Sequence, residues 1–164
     1  MLDFCNHLKL SKNLSLSEVT KSNTAMRRGI DNSPTEAHIE NLKYVAEKVF
    51  QPLRNHFGVP IYISSGYRSQ ALNEAIGGSP RSFHSHGMAL DLDQDGRNRG
   101  VSNADVFFYI KDNLPFTELI WEFGDETNPN WVHVAIAPGR EEEKKIKIAE
   151  KVNGKTQYKI WDRD

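Results

Sequence analysis

The sequence predicts an α+β domain: a mainly antiparallel sheet with flanking helices. Strand-like and helix-like runs come in mixed order along the 164 residues, with short links between them and a hairpin signature in the tail. In the first thirty residues, Ser15 and Ser17 precede short apolar patches, which predicts brief helical turns. Ser33-Pro34-Thr35-Glu36 then reads as an N-cap, a proline at the first helical position and a capping-box glutamate. Ile39, Leu42, Ala46, Val49, Phe50 and Leu53 fall on one helical stripe. Pro52 is expected to kink or split this helix, and Gly58 to end it.

VPIYIS, residues 59–64, is short and rich in β-branched residues, so a strand is predicted. A turn at Gly66 leads to a short helix over residues 70–76, capped by Ser69 and stopped by Gly77-Gly78. GMALDLD alternates, with Met88, Leu90 and Leu92 on one face and Ala89, Asp91 and Asp93 on the other. A helix runs from a cap at Ser102 to about Asn113, and strands follow over 117–123 and 131–137. In the tail, Asn153-Gly154 between two alternating runs predicts a hairpin.

Composition narrows the function classes. With 38% apolar, 26% charged and 10% aromatic residues, a folded globular protein is expected. The net charge of −1 and the dispersed basic residues argue against nucleic acid as a partner, since phosphate binding needs a concentrated basic face. No apolar run approaches the roughly 20 residues of a membrane span, so no membrane role is expected. Cys5 is the single cysteine, which rules out intrachain disulfides and thiolate metal clusters. Asp3, Asn6, His7 and Lys9 break the apolar residues of the N-terminus, so no secretory signal is expected there.

The chemistry concentrates in SFHSHGMALDLDQDG, and two metal patterns overlap in it. Asp91, Asp93, Asp95 and Gly96 match the first half of an EF-hand loop. That loop needs a bidentate glutamate at its twelfth position, where Ser102 stands, and it should follow a helix rather than an alternating strand. Asp93 and Asp95 therefore read as a solvated turn. The second pattern joins His84 and Asp91 to His133. Val132, Val134 and Ile136 form the apolar face of the WVHVAIA strand, which turns His133 the other way. If the two strands are neighbours with their apolar faces buried together, Asp91 and His133 share the polar face. His84 could complete two nitrogens and a carboxylate oxygen, the open set of a catalytic zinc. By spacing alone, a lone strand histidine is more often a structural one held by a hydrogen bond.

Ser82-x-His84-x-x-Gly87-x-Ala89-x-Asp91, preceded by Ser65-Gly66-Tyr67-Arg68-Ser69 and followed by Trp131-Val132-His133-Val134, resembles one family of zinc peptidases. It is the D-alanyl-D-alanine carboxypeptidase and L-alanyl-D-glutamate endopeptidase family, whose fold is shared with the Hedgehog signalling domain. The branch it most resembles is the small domain common in bacteriophage and prophage genomes. The similarity runs from about Leu16 to Arg140. The resemblance implies a zinc peptidase domain over residues 1–140, and residues 141–164 are expected to form a C-terminal β-hairpin extension packed on it.

Position by position, the resemblance implies His84, Asp91 and His133 as ligands of a Zn2+ ion. It implies Arg68 as the arginine that steadies substrate and oxyanion, and Ser82 as the serine that holds the loop. Several branches place the catalytic acid three residues before the last histidine, where this chain has Asn130, which takes no proton. Glu122 in LIWEF resembles the acidic position of the phage-type branch and is expected to be the catalytic base, its pKa raised by the aromatic residues around it. By alternation, Glu122 shares a face with Ile120, opposite Leu119, Trp121 and Phe123. Asp125 is a weaker candidate on the following loop, and His86 lies off the ligand positions and reads as a loop or substrate-side residue.

The implied activity is hydrolysis of peptide bonds in peptidoglycan stem peptides, by D,D- or L,D-cleavage, in cell-wall lysis or remodelling. The protein is expected to be a monomer made in the cytoplasm that reaches the wall through holins or inside virions. The alternative is a catalytically inactive zinc-containing module that recognises cell-wall peptides.

Overall fold

The computed structural model describes residues 7–97 and 100–163. Cys5 and the N-terminal residues Asp3 and Asn6 lie outside the described residues. A small hairpin of β1 (Lys9–Ser11) and β2 (Leu14–Ser15), which the sequence does not predict, precedes two short helices. These are α1 (Leu16–Thr20) and α2 (Asn23–Arg28), the expected brief helical turns. Ser15 caps the first, its backbone N–H donating to the Glu18 carboxylate at 2.8 Å.

Helix α3 (Glu36–Val45) starts two residues later than the sequence predicts. Its cap is Thr35, whose hydroxyl accepts from the His38 N–H at 3.2 Å while His38 Nδ1 accepts from the Thr35 N–H at 3.2 Å. Pro34 does not enter the helix. Pro52 does not end it. A π turn (Ala46–Phe50) joins α3 to α4 (Gln51–Phe57), and the Gln51 N–H donates to the Ala46 carbonyl. The widened turn lets a residue that lacks an N–H sit at the second position of α4. Gly58, at φ 66°, closes the helix.

Strand β3 is only Ile63–Ser65, shorter than the predicted 59–64. The buried Gln94 side chain takes the place of a ladder: Oε1 accepts from the Tyr62 N–H at 2.7 Å and Nε2 donates to the Pro60 carbonyl at 3.0 Å. After α5 (Gln70–Ala75) and a 3₁₀ turn (Phe83–His86) come β4 (Ala89–Leu92), α6 (Asn103–Asn113), β5 (Glu118–Glu122), β6 (Trp131–Ala135), β7 (Lys145–Val152) and β8 (Lys155–Ile160). The six strands β3 to β8 form one sheet in the order β3-β4-β6-β5-β7-β8.

Four of its five pairings are antiparallel, and β5 with β7 is parallel. The parallel pair has a steric reason. A meander would place β7 beside β6, but β4 already occupies that edge. Residues 136–144 carry the chain past β5 to its free side instead. The hairpin turn is as expected: Asn153 (φ 51°) and Gly154 (φ 75°) both take the positive φ of a two-residue I′ turn.

One face of the sheet is apolar. Leu90, Leu92, Val132, Val134, Leu119, Trp121 and Ile148 are buried against Leu42, Val49 and Leu53 of the long helix and Val106, Phe107 and Ile110 of α6. The other face carries Asp91, His133, Glu118 and Glu122. Two buried or half-buried asparagines tie the loops around that face. Asn103 Nδ2 donates to Asp93 Oδ1 and to the Pro129 and Asn130 carbonyls, while its Oδ1 accepts from the Gln94 N–H. Asn32 Oδ1 accepts from the Ser69 N–H at 2.7 Å, and its Nδ2 donates to the Thr20 and Tyr67 carbonyls.

Gly66 sits where α1 crosses the end of β3. A Cβ there would lie 2.4 Å from the Val19 carbonyl oxygen and 2.8 Å from its Cα, both backbone atoms that cannot swing away. Gly66→Ala is therefore expected to cost about 1–3 kcal/mol of stability, the usual range for overpacking, measured by denaturant unfolding; an unchanged midpoint would contradict this packing.

Candidate active site

Asp91 and His133 are direct partners in the β4–β6 ladder, so their side chains rise from the same face. His84 reaches them from the 3₁₀ turn, which Ser82 caps, its hydroxyl accepting from the His84 N–H at 3.3 Å. Gly87, at φ 71°, ends that turn and redirects the chain into β4. His84 Nε2 lies 3.1 Å from Asp91 Oδ1 and 3.2 Å from His133 Nδ1, and the last two atoms are 3.0 Å apart. Among the described residues these three are the one group of His, Cys, Asp and Glu whose ligand atoms lie within 4.8 Å of one another.

The donor set fits a metal ion. Ligands at about 2.0–2.1 Å around a tetrahedral centre stand about 3.3–3.4 Å apart, and the triangle here is only slightly tighter. The outer nitrogen of each ring is also engaged. His84 Nδ1 donates to the Gly66 carbonyl at 2.7 Å, which leaves Nε2 as the lone pair directed at Asp91 and His133. His133 Nε2 lies 3.2 Å from Glu118 Oε1, within ion-pair distance but off the line of a hydrogen bond. Glu118 is held in turn by Lys147 Nζ at 2.7 Å. With His133 Nδ1 deprotonated, the three atoms converge as acceptors and form a seat for positive charge.

The titrating groups around the triangle diverge. Burial would raise the Asp91 carboxyl, but the His84 and His133 imidazoles outweigh it and hold it well below the carboxylate range. Burial also opposes charge on His133, yet Asp91 and Glu118 push it up to about 9. Burial pulls His84 down. Glu118 falls to about 2, because His133 and Lys147 more than offset its burial. Glu122 goes the other way. It is 7% exposed, and burial together with the Asp91 and Glu118 carboxylates pushes it up to about 7.

All these groups line one open cleft of about 1020 Å³. Arg68 and Ser82 are on its wall, with His84, Asp91, Glu118, Glu122 and His133 at its floor. Arg68 follows β3, and its backbone N–H donates to the His84 carbonyl at 3.1 Å. Its Nε is buried and without a partner, and burial lowers its pKa against the pull of Asp91 and Glu122. A second cleft of about 490 Å³ shares Arg68 but contains none of the three donors.

The other sequence candidates fall outside the main cleft. Asp125 is exposed and closes its own loop, accepting from the Thr127 and Asn128 N–H groups. His86 is exposed and touches α3 through its carbonyl, so it is not on the substrate side. Asn130 is exposed, its N–H donating to the Glu122 carbonyl. Asp93 Oδ1 accepts from the Asp95 N–H at 3.0 Å, a local turn. One expectation is overturned. Phe123 does not follow Leu119 and Trp121 to the apolar face: its φ of 56° breaks the alternation and sets its ring in the cleft beside Trp131, 5.3 Å between centroids.

Sequence reasoning missed Glu118, although alternation places it on the face of Glu122. It also missed Lys147, Lys151, Thr156 and Tyr158, which enter the cleft only because β7 docks on β5. In comparison with known proteins, the family described as Peptidase M15 matches residues 12–135. No curated protein matches the chain.

The donor triangle makes a direct prediction. Zinc at 100 times its dissociation constant should raise the stability of chelator-treated protein by about 2.7 kcal/mol, read as a shift of thermal unfolding. Asp91→Asn and His133→Ala should each lose most of the shift, and an equal shift in these variants would show that the ion binds elsewhere.

Proposed function

Since the chain belongs to the Peptidase M15 family, we propose that it is a zinc-dependent hydrolase of the stem peptides of peptidoglycan, acting in cell-wall lysis or remodelling. His84 Nε2, Asp91 Oδ1 and His133 Nδ1 would hold the zinc. Bound zinc supplies Lewis acidity, which polarises a peptide carbonyl and makes water nucleophilic near neutral pH.

The chain's own residues supply the rest. The ladder partners Asp91 and His133 and the capped turn at Ser82 fix the donors before substrate arrives. Glu122 stands two residues along β5 from Ile120, the partner of His133, on the same face. It takes a proton from the attacking water and passes it to the leaving nitrogen as the C–N bond breaks. Arg68, half-buried at the rim with an unpaired Nε, is placed to bind the substrate carbonyl and the oxyanion that grows from it. Glu118 orients His133 and, through Lys147, is kept from competing as a base.

The observation that carries this assignment is Glu122: a carboxylate on the cleft floor, pushed up to about 7 by burial. A group poised near the working pH accepts and returns a proton with least loss. Glu122 also favours catalysis over an inactive recognition module, because the cleft holds a counterpart to the acid missing at position 130. Synthesis in the cytoplasm and action at the wall, in a phage or prophage setting, follow by analogy with the resembling branch.

The test is digestion of purified peptidoglycan by the zinc-loaded protein, with released peptides followed by mass spectrometry. A base works only when deprotonated, so kcat/KM is expected to rise with pH as Glu122 ionises, at or below its metal-free value of about 7 because bound zinc favours the carboxylate. Glu122→Gln should lower kcat on the order of 10²–10⁴-fold and abolish that limb. Intact muropeptides with zinc fully bound would overturn the peptidase assignment, and full activity in Glu122→Gln would overturn the base.

A further inference from the structure

The family match ends at residue 135, yet part of the cleft wall lies beyond it. Lys147, Lys151, Thr156 and Tyr158 all come from the C-terminal hairpin. Register places them. Glu122 pairs with Ala149 and Ala149 with Tyr158, so the three stand in one row across β5, β7 and β8. The Ala149 side chain stops at Cβ, leaving the row open between the tyrosine and Glu122. The Tyr158 hydroxyl is raised by burial and by the carboxylates of Glu122, Glu118 and Asp91, which places it within their field.

Two further features converge on the same wall. Phe123, a bulky residue at φ 56°, occupies a left-handed conformation that a side chain of its size disfavours. Ordinary alternation would bury its ring with Trp121. The strained turn presents the ring to the cleft instead, and Lys151 Nζ sits over it, 5.5 Å from the centroid. Lys151 also donates to Thr156 Oγ1 at 2.9 Å. Both partners are neutral. Lys147 in the same wall is matched to Glu118, whereas among the described residues Lys151 makes no ion pair. A cation oriented by a ring and a hydroxyl, and ion-paired to none of the described carboxylates, is complementary to an anion brought by the ligand.

We propose that the C-terminal hairpin supplies a specificity-determining subsite in which Lys151, held over Phe123 beside Thr156 and Tyr158, takes a carboxylate group of the peptide substrate. The proposal rests on the peptidase assignment for its substrate class and goes beyond it in assigning selectivity to residues outside the family match.

Two synthetic stem pentapeptides test it, one with its carboxylates free and one with them all amidated. The quantity read is the ratio of kcat/KM for acid over amide, measured on the zinc-loaded full chain. Lys151→Gln is expected to lower that ratio about three- to five-fold, the scale of a solvent-screened charge contact. Lys151→Arg should restore it, and Lys155→Ala, beside the hairpin turn and away from the cleft, should leave the ratio as it is. Phe123→Gly should lower the ratio with the fold intact, since glycine accepts the left-handed backbone. An unchanged ratio in Lys151→Gln overturns the subsite. If the native protein cleaves neither peptide, the peptidase assignment fails separately, and the same ratio is then read from Kd values by calorimetry. A preference for the acid that Lys151→Gln removes would still establish the subsite; equal affinities for both peptides in the native protein would overturn it.

Discussion

The site depends on one registration, Asp91 opposite His133 in the β4–β6 ladder. Side chains alternate along a strand, so a slip of one residue would send either donor into the core and bring a leucine or valine onto the cleft floor. The slip is opposed by the apolar face itself. Leu90, Leu92, Val132 and Val134 are buried under the long helix and α6, and exposing them would cost about 1.5–3 kcal/mol each. The hydrophobic core thus sets the spacing of the donors without touching them. His84 alone comes from outside the ladder, and it has its own restraints in Ser82, Gly87 and the Gly66 carbonyl.

Four carboxylates in or beside this cleft meet different fates for local reasons. Asp91 and Glu118 have cationic partners and stay ionised far below neutral pH. Glu122 has the desolvation without a partner, and its affinity for a proton climbs toward neutrality. Asp125, only three residues further along the chain, is exposed and satisfied by its own loop. The different proton affinities of these carboxylates follow from which one has which neighbour.

Much of this was legible in the sequence because it is periodic or local. Alternation in GMALDLD and WVHVAIA assigned Asp91 and His133 to the polar face, and Asn153-Gly154 announced the hairpin. The remainder depends on long-range pairing. Residues 59–62 look like strand, but Gln94 takes their hydrogen bonds from across the chain. Phe123 looks like a core residue, and a single left-handed φ turns it outward. The hairpin's place beside β5 could not be read from the hairpin, because it follows from β4 having taken the other side of β6. For that reason Lys147, Lys151, Thr156 and Tyr158 were invisible as site residues while their strand was plain.

The parallel pairing of β5 with β7 also has a kinetic side. A hairpin closed by a two-residue turn can form within about 1–10 μs, with contacts only between neighbours in sequence. Its docking on β5 is a longer-range event, though it spans less chain than the β4–β6 ladder in which Asp91 meets His133. Non-local pairings of this kind are slow, because loop entropy is lost before the contacts that compensate for it are made. The donor triangle depends on the longer of the two closures, and the hairpin wall on the shorter. The ladder that sets the donor triangle is therefore the slower of the two to close, an order that pulse-labelled amide exchange in β4, β6, β7 and β8 would resolve.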